Sequence, residues 1–258
     1  MWFKVKSFIL FLFKSTNQHG VHSPFVYNLV TKCFYKKSTV DQLNLLKSVK
    51  NWLHNNHKII RVTDFGNGSK VFKNNNRKVA DIAKVAGIST KKALLLIRIV
   101  EYLKPQNVLE IGTSVGLSAA TLSIGNPSSK IKTLEGCKNT AAIAQELFDT
   151  FKLKNIQIIT GDFYNTLPAV INNENFDLIY FDGNHQKEAT LNYFSACLKV
   201  AHNNSVFIFD DINWSLEMQE AWLIIKEHPK VTVSIDTFFW GIIFFRKEQE
   251  KEHFTIRI

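Results

Sequence analysis

The residues able to do chemistry fall in five short segments, each closing a β-rich run. The first is Val108-Leu-Glu-Ile-Gly-Thr-Ser-Val-Gly-Leu-Ser118, an apolar run passing through a glycine-bearing turn into a helical stretch. Such a turn turns bare backbone N–H groups and a helix N-terminus toward a ligand. Gly112 and Gly116 are expected to permit close approach there, because a Cβ at either would push the ligand away. Thr113, Ser114 and Ser118 are the polar candidates of the same turn, and Glu110 before it could accept from a cationic amino group. Glu135, in Thr133-Leu-Glu-Gly136, ends the next run, where a carboxylate can accept from two adjacent ribose hydroxyls. Gly161-Asp162 ends the third run and sets a short carboxylate where an adenine amino group could donate. Beyond the fourth and fifth runs come Phe181-Asp-Gly-Asn-His185 and Phe209-Asp-Asp-Ile-Asn-Trp214, acid-rich segments at the edge where open α/β sheets bind ligands.

Strands over 107–111, 130–134, 156–160, 176–181, 205–209, 231–237 and 240–246 must position these residues. The first five are apolar enough to be buried on both faces and are separated by helix-length segments. Parallel pairing through right-handed crossovers follows. Only a couple of residues near Phe238 and Phe239 part the last two, too few for a crossover helix, so they must form a hairpin. The expected fold is α/β, a Rossmann-like doubly wound sheet of seven strands with the last antiparallel. Helical apolar spacing marks 140–151, 187–200 and 215–228, and 77–103 reads as two helices broken at 87–89. Residues 15–60 also look helical, and the turn-rich stretch 64–76, with Phe65-Gly66-Asn67-Gly68-Ser69, suits a lid. The division expected is an N-terminal helical extension and lid over 1–76 and the sheet domain over 77–258.

A hydrophobic fraction of 45% and a charged fraction of 21% belong to a globular chain rather than a disordered or fibrous one. Cys33, Cys137 and Cys197 are odd in number and widely spaced, which fits neither a disulfide framework nor a zinc knuckle and favours a reducing, cytoplasmic setting. The formal charge of +10 comes from lysines scattered among asparagines. No dense basic run with interleaved aromatics marks a nucleic-acid surface. The apolar run Phe8–Phe13, between Lys4, Lys6 and Lys14, is too short to span a bilayer, which takes roughly 20 residues. It is expected to pack as a short helix, with a peripheral membrane anchor as the alternative. His19-Gly-Val-His-Ser-Pro-Phe25 reads as a turn entering a helix at Pro24, the alternative being a place for His19 and His22 beside the acceptor. A homodimer is compatible with the sequence.

A dinucleotide-dependent dehydrogenase would tolerate Ala119 at the third glycine position. Against it stand the mostly helical stretch ahead of the glycine turn and the closing antiparallel hairpin. Residues 108–246 instead resemble the class I S-adenosylmethionine-dependent methyltransferases. Glu110-Ile-Gly-Thr-Ser-Val-Gly-Leu-Ser118 is similar to the glycine motif of the catechol-type O-methyltransferases. The resemblance implies S-adenosylmethionine as cofactor, held by Glu110, Gly112, Thr113, Ser114, Gly116, Ser118, Glu135 and Asp162. It also implies methyl transfer to a small-molecule acceptor, an oxygen of a hydroxyl. Asp182, Asp210 and Asp211 match the positions where those enzymes hold a magnesium or calcium ion through hard carboxylate oxygens. His185, three residues after Asp182, stands where they commonly carry a lysine that deprotonates the acceptor. Histidine suits that task near neutral pH, which makes His185 and Asp182 the catalytic candidates. Trp214, Trp222, Phe238, Phe239 and Trp240 are either acceptor walls or core. The rival readings are methylation of RNA or protein and a noncatalytic cofactor-binding scaffold.

Overall fold

The computed structural model describes residues 2–63, 74–172 and 174–258. Helix α1 (Trp2–Lys14) is followed by α2 (Pro24–Leu29), which widens into a π-type turn over Val30–Phe34, and by α3 (Val40–His54). A hairpin of β1 (Ile59–Arg61) and β2 (Asn76–Lys78) leads into α4 (Val79–Val85) and α5 (Thr90–Leu103). Strands and helices then alternate: β3 (Asn107–Ile111), α6 (Leu117–Gly125), β4 (Lys130–Glu135), α7 (Lys138–Thr150), β5 (Ile156–Thr160), α8 (Phe163–Ile171), β6 (Leu178–Phe181), α9 (Lys187–Cys197), β7 (Val206–Asp210) and α10 (Leu216–Glu227). β8 (Val233–Asp236), β9 (Trp240–Phe244) and β10 (Glu252–Thr255) complete the chain.

The main sheet has eight strands in the order β10-β8-β9-β7-β6-β3-β4-β5. The hairpin is present, with β9 antiparallel to both β7 and β8. The expected count of seven needs correction, because β10 adds a parallel edge strand beside β8. Its sequence, Glu-His-Phe-Thr, has little apolar character, since an edge strand needs only partial cover. The β1–β2 hairpin likewise interrupts a region expected to be helical. Residues 64–73, most of the expected lid, lie outside the described residues.

Burial alternates along the central strands. Val108, Leu178, Tyr180, Val206 and Ile208 face one apolar layer with α2 to α7, whereas Leu109, Ile179, Phe181, Phe207 and Phe209 face another with α8 to α10. Helices on both faces bury every central residue, which explains the near-continuous apolar runs. The chain leaves β3 toward β4 and β5 on one side, and returns to β6 and β7 on the other. The strand order therefore reverses between β3 and β6, and a crevice opens at their carboxyl ends.

Helices α2 and α3 contribute Val26, Leu29, Leu46, Val49 and Leu53 to the layer they share with the sheet. Ser23 caps α2 with Pro24 in its first turn, and Phe25 packs edge-on against Phe244 at the amino edge, so His19-to-Phe25 is a structural turn far from the crevice. Helix α1 buries only Ser7 and Phe11. Among the described residues no helix is long and apolar enough to cross a membrane.

Candidate active site

Gly112 and Gly116 have φ of +107° and +87°, a region that L side chains rarely adopt. A Cβ on Gly112 would stand 2.6 Å from the Asp182 carbonyl oxygen, and one on Gly116 would stand 2.9 Å from Ala144 and Phe148 of α7. These glycines are therefore required by backbone conformation and by neighbouring elements. Among the described residues, four of the six non-glycine residues with positive φ lie at this same edge: Ser114, Asn184, Asp211 and Phe238. Such conformations persist only where surrounding structure holds them, and they concentrate at functional loops.

Pairing in register sets Thr133 of β4 and Tyr180 of β6 on either side of Glu110. Glu110 is fully buried, and its Oε2 accepts from the Thr133 hydroxyl at 2.5 Å. Its Oε1 and the Tyr180 hydroxyl, both buried, have no hydrogen-bond partner. Burial pushes the Glu110 carboxyl up to about 7, opposed by the Ser118 and Thr133 hydroxyls and reinforced by Glu135. A buried acid with one unused oxygen suits a cationic or proton-donating ligand group, because leaving that oxygen unpaired costs on the order of 1–3 kcal/mol. Thr113 is also buried and uses its hydroxyl on the Leu134 carbonyl at 3.0 Å, so its side chain braces the turn.

Glu135 emerges at the end of β4 and ties the turn down from below. Its Oε2 accepts from the Ser114 N–H at 2.6 Å and its Oε1 from the Cys137 N–H at 2.8 Å. Burial raises its pKa, against the pull of those backbone donors and the Thr140 hydroxyl. Each carboxylate oxygen keeps a further lone pair, enough for two adjacent hydroxyl donors. Asp162 caps α8 by accepting from the Tyr164 N–H at 2.8 Å with Oδ1. The cap uses one of its two carboxylate oxygens.

The acids beyond β6 and β7 meet a residue that the motifs did not reveal. Lys92, in the first turn of α5, sets its Nζ 2.6 Å from Asp210 Oδ1 and 3.3 Å from Asp211 Oδ1. Burial pulls the lysine pKa down, but Asp210, Asp211, their hydrogen bond and Asp182 more than reverse this and hold it above the ordinary value. Burial also drives the Asp182 carboxyl far up, helped by Asp210 and opposed by Lys92. Of the expected metal ligands Asp182, Asp210 and Asp211, the last two are paired with the Lys92 ammonium in this structure. Among the described residues no group of three or more His, Cys, Asp or Glu side chains is arranged to hold a metal ion.

Replacing Lys92 by methionine should leave buried carboxylates unpaired, with an expected loss of about 3 kcal/mol in urea unfolding. The lysine is most useful while charged, and its folded pKa lies above the unfolded one. Its contribution is complete below the ordinary lysine value of about 10.4 and fades only as pH climbs through the folded value. The difference between wild type and Lys92→Met should therefore be level from about pH 7 to 10. A difference under about 0.5 kcal/mol would mean that the pair is solvated and structurally idle.

His185 Nε2 lies 3.9 Å from Asp182 Oδ1, with its side chain about one-third exposed at 33%. A narrow gap of about 10 Å³ is lined by His185, Thr190, Tyr193, Asp210 and Met218 among others. Trp222 and Trp240 are core residues, the first packed flat over Gly241, whereas Trp214, Phe238 and Phe239 form the rim. A wider cleft of about 490 Å³, lined by Asp41, Ser123 and Lys152 among others, lies at the opposite end of the sheet and holds none of the expected site residues.

Comparison with known proteins places this geometry. Residues 109–212 match a family described as a methyltransferase domain. A methyltransferase of Podospora anserina, PaMTH1, solved with S-adenosylhomocysteine bound, has a TM-score of 0.59 at 17% identity over 88% of this chain and 97% of its own. An O-methyltransferase of Bacillus cereus, in complex with S-adenosylhomocysteine, gives 0.54 at 19% identity over 84% and 94%. The Streptomyces achromogenes O-methyltransferase TomG, in complex with S-adenosylmethionine, gives 0.54 at 17% identity over 62% and 82%.

Proposed function

We propose, from the premise that this chain carries a class I S-adenosylmethionine-dependent methyltransferase domain, that it moves a methyl group to an oxygen of a small-molecule acceptor at the β6–β7 edge. One observation carries the cofactor half of this reading. Two acids, Glu110 and Glu135, stand at the ends of adjacent parallel strands beside the bent turn at the strand-order reversal, and the inner one keeps an unpartnered buried oxygen. The residues fit the nucleoside and its amino-acid tail. Glu110 would take the ammonium, the Gly112-to-Gly116 turn the tail, Glu135 the ribose hydroxyls and Asp162 the adenine amino group.

Bound there, S-adenosylmethionine supplies a methyl group already activated on a sulfonium. What remains for the protein is alignment, exclusion of water and removal of a proton from the acceptor. His185 is the base we assign to that proton, with Asp182 Oδ1 3.9 Å from its Nε2. Lys92, fixed by Asp210 and Asp211, sets a permanent positive charge beside the acceptor edge, where it would favour a developing oxyanion. Asp182, Asp210 and Asp211 would be the acids to hold a metal ion, and two of them, Asp210 and Asp211, are paired with Lys92 here.

Calorimetry with S-adenosylmethionine and S-adenosylhomocysteine, followed by turnover on a panel of hydroxyl acceptors, tests the proposal. The former should bind more tightly as pH rises through about 7, since an ammonium beside Glu110 favours its ionised form. Absence of binding would defeat the cofactor assignment. Binding without turnover on hydroxyl acceptors, with turnover on RNA or protein, would defeat the acceptor assignment.

A further inference from the structure

Helix α1 leaves an apolar stripe exposed. Trp2, Val5, Ile9, Leu12 and Phe13 recur at helical spacing along one stripe and are exposed, Trp2 at 82% and Phe13 at 86%. Its opposite side docks on the rim of the active site. Phe8 and Phe11 pack on Phe238 with ring centroids 4.8 and 5.5 Å apart, and the Lys4 ammonium lies 3.0 Å over the Trp214 ring. Phe238 stacks edge-on with Phe239, whose ring lies 5.5 Å from Lys92 Nζ. The helix that carries the exposed stripe is therefore seated on the rim residues, of which Trp214 and Phe239 are half-exposed.

We propose that α1 docks this face on an anionic lipid surface, with the mouth of the acceptor site held at the headgroup level. Water-facing apolar stripes of this size mark interaction sites. The charge pattern selects the partner, because α1 carries Lys4, Lys6 and Lys14 and no acid. Two copies of the helix packed together would bring like charges side by side, whereas anionic headgroups neutralise them. The helix is too short to span, so it lies in the interface with the stripe among the acyl chains. A consequence, which rests on the methyl-transfer reading, is that the acceptor is an amphiphile presented at that surface.

Flotation with vesicles tests the docking without requiring activity. The full chain should float with vesicles of phosphatidylcholine containing about one-third phosphatidylglycerol, and not with phosphatidylcholine alone. Ile9→Glu with Leu12→Glu, both on the exposed stripe, should lower the bound fraction at least about tenfold while S-adenosylhomocysteine affinity stays unchanged. Failure of the wild type to float would overturn the docking, as would equal flotation of the double variant. So would a wild-type dimer in ultracentrifugation that the double variant dissolves without any vesicle binding. Loss of nucleoside binding in the wild type would instead remove the cofactor reading and leave the docking untouched.

Discussion

Replacing His185 by alanine should lower kcat about 100-fold while S-adenosylhomocysteine affinity stays within about twofold. The expectation follows from the division of labour at the carboxyl edge. His185 and Asp182 lie beyond β6, with 3.9 Å between Nε2 and Oδ1, whereas the acids proposed to bind the nucleoside lie at the ends of β3 and β4. On the proposed mechanism, removing the imidazole leaves those acids in place and takes away the group that would receive the acceptor proton. Its partial exposure lets the proton pass to solvent after each turnover. Raising pH should rescue the variant in part, because an acceptor that ionises on its own needs no base. A kcat within about threefold of wild type on every accepted substrate would remove His185 from the mechanism.

Glu135→Ala should weaken S-adenosylhomocysteine binding about 100-fold, or roughly 2.7 kcal/mol. Two effects act together. The carboxylate accepts the Ser114 and Cys137 N–H groups, and so holds the turn in its positive-φ conformation at Ser114 before any ligand arrives. On the proposed reading it would also accept from the two ribose hydroxyls, and hydrogen bonds to a charged acceptor are the stronger kind. Glu135→Gln separates these effects, since it keeps shape and one acceptor but loses the charge. About a tenfold loss is expected for it. Calorimetry beside urea unfolding distinguishes weakened recognition from weakened folding. A change of less than about threefold for the alanine variant would place the ribose elsewhere.

Residue type and local spacing determined a large part of this protein. β3 and β5 begin and end where the β-rich runs predict, because such runs bounded by turn residues mark strands. The short link at Phe238 and Phe239 dictated the antiparallel β9, since chain length alone forbids a crossover there. The glycine turn, Glu110 and Glu135 were legible because each is tied to the end of its own strand.

Tertiary structure decided everything that depends on register or on contacts between distant segments. Pairing across β3, β4 and β6 surrounds Glu110 with Thr133 and Tyr180, an arrangement invisible in any single segment. Packing of α5 brings Lys92 to Asp210 across 118 positions of sequence. No local pattern sets Lys92 apart from Lys91 beside it, and only the fold gives one of them two carboxylates as partners. The edge strand β10 and the exposed stripe of α1 share this origin, because what an apolar or weakly patterned segment meets is fixed by the surface that remains when the core is already full.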